Sequence, residues 1–161
     1  MEIFDYTDEL KGENGRGNIS TRLAEIYASS LDSVTLRELS ETYEDGPLEH
    51  LEADVFYCTS AFVAVEGPQL KGAAFLRRHF DHDSNKTLIA HLFAEAAEDQ
   101  AGTMKALLAH CIRHNKGTGA NILLASVINQ LDEAIYEDAG FAMIDPDDEY
   151  SLYQLDTDLI I

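Results

Sequence analysis

The stretch from Val55 to Ala94 constrains this chain more than any other, because it holds three apolar, β-forming runs in close succession. The run FYCTSAFVAV ends at Glu66-Gly67-Pro68, and LKGAAFLRRHF begins two residues later, a spacing that predicts a hairpin. After a polar turn, Asp81 to Lys86, the run Thr87 to Ala94 (TLIAHLFA) gives a third strand. The period then changes. From about Gln100 to Asn115, the residues Met104, Leu107, Leu108 and Ile112 recur at helical spacing, and Lys116-Gly117-Thr118-Gly119 offers a left-handed glycine cap. The following NILLASVI is a continuous apolar run, as expected of a strand buried on both faces. A strand–helix–strand unit of this kind places its second strand parallel to its first by a right-handed crossover.

The flanks are weaker signals. Residues 2–7 read as a short strand, and Gly12 to Gly17 (GENGRG) as a flexible loop. A helix starts near Ser20 with Leu23, Ile26 and Tyr27 on one face, and residues 34–43 form a second, broken by Asp45-Gly46-Pro47. Residues 130–139 read as a helix with Leu131, Ala134 and Ile135 apolar, and Tyr150 to Leu155 as a returning edge strand before a tail at 156–161. At 161 residues, with 45% hydrophobic and 25% charged, the expectation is one domain spanning 1–161, with residues 1–19 an N-terminal strand and loop.

Charge narrows the partners. Thirty Asp and Glu against 11 Lys and Arg give −19, and no Lys or Arg follows Lys116, whereas a nucleic-acid partner would leave a basic footprint. The acidic C-terminal third reads as a solvated face or as a docking surface for a basic partner. Cys58 and Cys111 lack ligand spacing and read as buried free thiols. No apolar run approaches the ~20 residues of a membrane span, and MEIFDYTDEL has no signal-peptide pattern. The expectation is a soluble, cytoplasmic protein, compatible with a homo-oligomer, with no membrane and no nucleic-acid partner.

The most specific segment is Asn129, then Tyr136 seven residues on, then Gly140-Phe141, directly after the buried strand. Asn129 is suited to cap a helix start, Gly140 to turn left-handed and Phe141 to pack back on the core. This spacing, together with the order of elements over roughly residues 20–155, resembles the GNAT N-acetyltransferase superfamily. The resemblance implies an α/β fold with a GNAT-like mixed, mainly antiparallel central sheet flanked by helices on both faces. It also implies acetyl-CoA as cofactor and Tyr136 as donor of a proton to the departing thiolate. A packed core aromatic is the competing role for Tyr136, since both need the same inward direction.

The resemblance further implies a phosphate-binding loop at the start of the long helix, where backbone amides and the helix dipole favour an anion. Aligned on Leu107 and Leu108, that loop keeps Gly102 but puts Asp99 at the polar-anchor position and Met104 at a small-residue position. Glu98 and Asp99 repel a pyrophosphate, and Met104 is expected to obstruct it. A shortened loop is the alternative, with Gln100 as anchor, Thr103 alongside and Lys105 reaching the phosphates. The backbone of Leu92, Phe93 and Ala94, with Asn129 fixing where the strands part, would hold the pantetheine arm.

The general base is sought on the central strands. His91 and Glu95 share a face with Phe93 by alternation and are the joint candidates; His79, on the second strand, is a third. The run His79-Phe80-Asp81-His82-Asp83 reads as a solvated hairpin end, and no metal is expected. Two functions stay open. One is acetyl transfer to an amine-bearing small molecule or basic protein. The other is a non-catalytic GNAT-fold binding or structural protein, of the kind the resemblance includes among bacteriophage components.

Overall fold

The computed structural model describes residues 1–11, 21–55, 57–78, 86–118, 120–126, 130–144 and 152–157. The calls on the Gly12–Gly17 loop, on His79 with the hairpin end, and on Asn129 lie outside them. Along the chain come β1 (Glu2–Asp5), α1 (Thr7–Lys11), α2 (Thr21–Ser30), α3 (Ser33–Thr42), α4 (Pro47–Val55), β2 (Cys58–Glu66), β3 (Gln69–Arg78) and β4 (Lys86–Ala94). Then follow α5 (Gln100–Lys116), β5 (Ile122–Ser126), α6 (Gln130–Asp138), β6 (Ala142–Met143) and β7 (Leu152–Asp156).

The strands form one seven-stranded sheet in the order β1-β2-β3-β4-β5-β7-β6. β2, β3 and β4 are the antiparallel series read from the sequence, and β4 to β5 is the parallel pair. β7 is not an edge, because the two-residue β6 pairs along its outer side. α4 is the larger departure from expectation. Asp45-Gly46-Pro47 does break the chain, with Gly46 at φ +59, but Pro47 then opens a new helix, where its missing N–H costs nothing. Leu51 and Val55, one turn apart, bury that helix on the sheet.

Alternation along the strands sends apolar side chains to both faces. On one face Phe62, Leu76, Ile89 and Leu123 meet Leu107, Leu108 and Cys111 of α5 and Ile135 of α6. On the other Val63, Phe75 and Phe93 meet Leu23 and Ile26 of α2 and Leu51 of α4. Each such side chain contributes roughly 1.5–3 kcal/mol by leaving water. Both cysteines are buried free thiols. Ala134, counted as an inward residue, is exposed.

Two helix ends decide the local geometry. At the end of α5 Gly117 is not left-handed but stays at φ −86, ψ −7, Gly119 lies outside the described residues, and buried Asn115 donates Nδ2 to the Ala120 carbonyl at 3.0 Å. α6 does close that way. Gly140 at φ +101 lets the Phe141 N–H reach the Tyr136 carbonyl at 3.0 Å and returns the Phe141 ring onto Tyr136, centroids 5.1 Å apart.

Candidate active-site cleft

The cleft begins with an irregularity in β4. Across the β3–β4 ladder Phe75 faces His91 and Leu76 faces Ile89, so Ala90 is an extra residue. A bulge of this kind bends the strand and breaks the alternation. Accordingly Ala90 and His91 both turn toward the α2–α4 face, while Ile89 and Leu92 turn to the α5 face. Among the described residues, pairing with β5 covers Lys86–Ile89 and goes no further than the bulge. Beyond it β4 runs on to Ala94 with no β5 partner among the described residues, and backbone polar groups on such an edge need other partners.

A cleft of about 280 Å³ fills this divergence, walled by β4, the start of α5, Ser126 of β5, α6, and the α2–α3 segment with His50. Of the residues singled out from sequence, His91, Leu92, Phe93, Gln100 and Tyr136 line it. Ala94, Glu95, Gly102, Thr103 and Lys105 are not among the lining residues.

At the start of α5 the Gln100 amide is bonded to the Ala97 carbonyl and the Thr103 amide to Asp99, which leaves the Ala101 and Gly102 N–H groups as the first-turn donors without an intrahelical acceptor. A side chain at Gly102 would meet nothing within 4 Å, so the approach is open there. Gln100 donates Nε2 to the Ala94 carbonyl at 3.2 Å and so ties the end of β4 to the helix. Thr103 points inward and is buried. Lys105 lies 3.5 Å from Asp138 of α6 on an exposed surface. Met104 corrects the sequence reading: it is buried in the α5 core and lines the cleft, so it does not block the helix terminus. Glu98 and Asp99 remain exposed, and the Asp99 side chain makes no cap bond.

Tyr136 is almost fully buried at 3% exposure. Burial, then the charge of Asp132 and the neighbouring Cys111, push its phenol well above the ordinary range, so the hydroxyl keeps its proton at any working pH. Asp132, buried on the same helix, also lines the cleft.

His91 and Glu95, paired in the sequence reading, have different fates. Glu95 accepts from Arg22 of α2 at 2.7 Å and faces Lys71 at 3.6 Å; the Arg22 bond is the main reason its carboxyl stays below the usual range. His91 is bonded through Nε2 to Asp54 Oδ2 at 2.5 Å. His50, one turn before Asp54 on α4, brings its Nε2 to 3.9 Å from the same oxygen. Burial works against the charge on Asp54, but the His91 bond and the charges of His91, His50 and Arg77 hold its pKa down. Burial, and then His91, lower that of His50, so it is neutral near pH 7.

Aromatic rings pack around this cluster. Tyr27 stacks on His50 at 6.1 Å and meets His91 edge-on at 5.3 Å, with Phe75 at 5.6 Å from His91 and Tyr43 at 5.5 Å from His50. Sequence reasoning passed over His50 and Asp54. The available signal was their i, i+4 spacing behind Pro47, once Pro47 is taken as a helix start.

The chain as a whole, with the sheet that carries this cleft, is similar to solved structures. The fold is that of the GNAT acetyltransferases. An aminoglycoside 6'-acetyltransferase type Ii superposes with a TM-score of 0.66 at 15% identity, over 98% of this chain and 97% of that one. A GNAT-family acetyltransferase from Staphylococcus aureus Mu50 gives 0.65 at 20% identity over 97% and 98%. A GNAT-family N-acetyltransferase from Escherichia coli, crystallised in complex with CoA, gives 0.62 at 16% identity over 97% and 81%. No family model and no curated protein matches the sequence. The GNAT likeness therefore rests on three-dimensional structure. Among the described residues no helix is long and apolar enough to cross a membrane.

Proposed function

We propose that this protein transfers an acetyl group from acetyl-CoA to an amine, with the acceptor entering between β4 and the α2–α4 segment. The observation that carries this reading is the bulge that turns His91 into the cleft, beside which β4–β5 pairing among the described residues ends at Ile89. The residues present fit the cofactor's shape. Uncovered β4 backbone suits an amide-bearing arm, and the open Ala101–Gly102 amides suit a phosphate. Acetyl-CoA would supply the activated acetyl group, and the chain's own groups do the rest.

His91, on the acceptor side, is better placed than Glu95 to take a proton from an incoming amine, because Glu95 is held by two cations. Tyr136 keeps its hydroxyl proton and would be the group to protonate a leaving thiolate. A net charge of −19 steers cationic acceptors, small polyamines or basic protein segments, toward the cleft. A specific feature favours a second reading, a GNAT-fold binding protein that no longer holds CoA: exposed Glu98 and Asp99 flank the helix start that phosphates would approach. Calorimetric titration with acetyl-CoA separates the two. Saturable binding followed by amine-dependent thiol release from a polyamine panel supports transfer; absence of binding at millimolar acetyl-CoA leaves the binding-protein reading.

A further inference from the structure

We propose that His50, Asp54 and His91 bind a divalent transition-metal ion, zinc by preference, with the remaining coordination position facing the cleft. One atom from each residue falls within a group whose members all lie within 4.8 Å of one another. Two imidazoles and one carboxylate form the donor set that zinc, cobalt and nickel prefer, whereas magnesium and calcium favour oxygen alone. The ligands come from two elements: His50 and Asp54 lie one turn apart on α4, and His91 sits on the β4 bulge that aims it at them.

Nε2 is the His50 nitrogen that faces Asp54 and would carry the ion, while Nδ1 is buried without a hydrogen-bond partner. The surrounding Tyr27, Tyr43 and Phe75 rings hold both imidazoles in place and limit water access, which favours coordination over hydration. Zinc–ligand distances of about 2.0–2.2 Å place tetrahedral donors ~3.4 Å apart. Capture thus requires Asp54 to ease away from His91 and His50 to move in from 3.9 Å, both within side-chain rotation. His50 and His91 line the cleft, so the open position faces any bound acceptor. The site stands whether or not the protein transfers acetyl groups. An ion on His91 Nε2 would take the place of the proton now shared with Asp54.

The test uses the full chain stripped with a chelator. Titration with zinc chloride is expected to give one site of about micromolar affinity or tighter, and cobalt(II) to give the visible d–d bands of a four-coordinate centre. His50→Ala and Asp54→Asn should each weaken zinc about tenfold or more. His50 is partly exposed and Asp54→Asn is isosteric, so both variants should keep the wild-type circular dichroism. The proposal is overturned by zinc binding unchanged in both variants, or by equal competition from magnesium or calcium, which would assign the ion to the acidic surface. It is also overturned if no zinc binding or cobalt spectrum appears.

Discussion

Substitution at Gly102 tests the helix start without touching the core. The residue is third in α5, its φ is not among the positive glycine values, and a Cβ there meets nothing within 4 Å. Gly102→Ala therefore adds no clash and removes backbone freedom from the unfolded chain, a gain of about 0.4–1 kcal/mol. For a domain of this size ~1 kcal/mol moves Tm by roughly 2–4 °C, so thermal unfolding by circular dichroism should show a rise of about 1–4 °C. Gly102→Leu should be equally harmless to the free fold but should fill the approach to the Ala101 and Gly102 amides. Losing a hydrogen bond to a charged group costs ~1.5–3 kcal/mol, which predicts a roughly 10- to 150-fold weaker acetyl-CoA titration. A lowered Tm for the alanine variant would mean that the space above Gly102 is not open. If the leucine variant bound acetyl-CoA as well as the parent, the phosphates would have to lie elsewhere.

Neutralising Glu98 and Asp99 together (Glu98→Gln, Asp99→Asn) should tighten acetyl-CoA, and raising salt should tighten it in the parent too. Both follow because the like-charge repulsion is screened as the Debye length falls from ~30 Å at 0.01 M to ~8 Å at 0.15 M; weakening with salt would contradict this. Tyr136→Phe keeps the ring against Phe141 and removes only the hydroxyl, so turnover should drop about 10²- to 10⁴-fold with acetyl-CoA affinity nearly unchanged. An unaltered rate would remove Tyr136 from proton transfer. Cys111, whose thiol burial pushes up to about 12 from 9.0, should resist thiol reagents at pH 8 until the protein is unfolded. Because the unfolded thiol ionises first, that group's stability contribution is intact below about pH 9 and falls by ~1.4 kcal/mol per pH unit between there and pH 12, which urea titrations at rising pH would record. Gly72→Ala should destabilise the fold by about 1–3 kcal/mol or more, since its Cβ would stand 2.5 Å from the Phe93 carbonyl.

The parts of this molecule legible in the sequence are those set by local period and turn chemistry. The β2–β3 hairpin, α5, the buried run of β5 and the Tyr136–Gly140–Phe141 closure all carry their cause within a dozen residues. What stayed hidden depends on partners distant in sequence. Alternation places His91 and Glu95 on one face, but only the tertiary contact with Arg22 removes Glu95 from the cleft. Met104 was expected at a phosphate because the loop was aligned as a string; the helix phase turns it inward. α4 was missed because a break signal is also a start signal when proline follows it, and with α4 went His50 and Asp54.

The bulge at Ala90 joins these hidden parts into one device. An unbulged β4 would send residues 90 and 91 to opposite faces, and with the Leu92–Ala94 phase held as it is, the strand could continue its ladder with β5. The extra residue coincides with the end of that ladder among the described residues, at Ile89, and brings His91 under α4 in the same step. The unpaired part of β4 and the His50–Asp54–His91 cluster thus share one structural cause, although the ligands proposed for them differ. Deleting Ala90 should therefore abolish both acetyl-CoA and zinc binding together, whereas Gly102→Leu should weaken only the first and Asp54→Asn only the second.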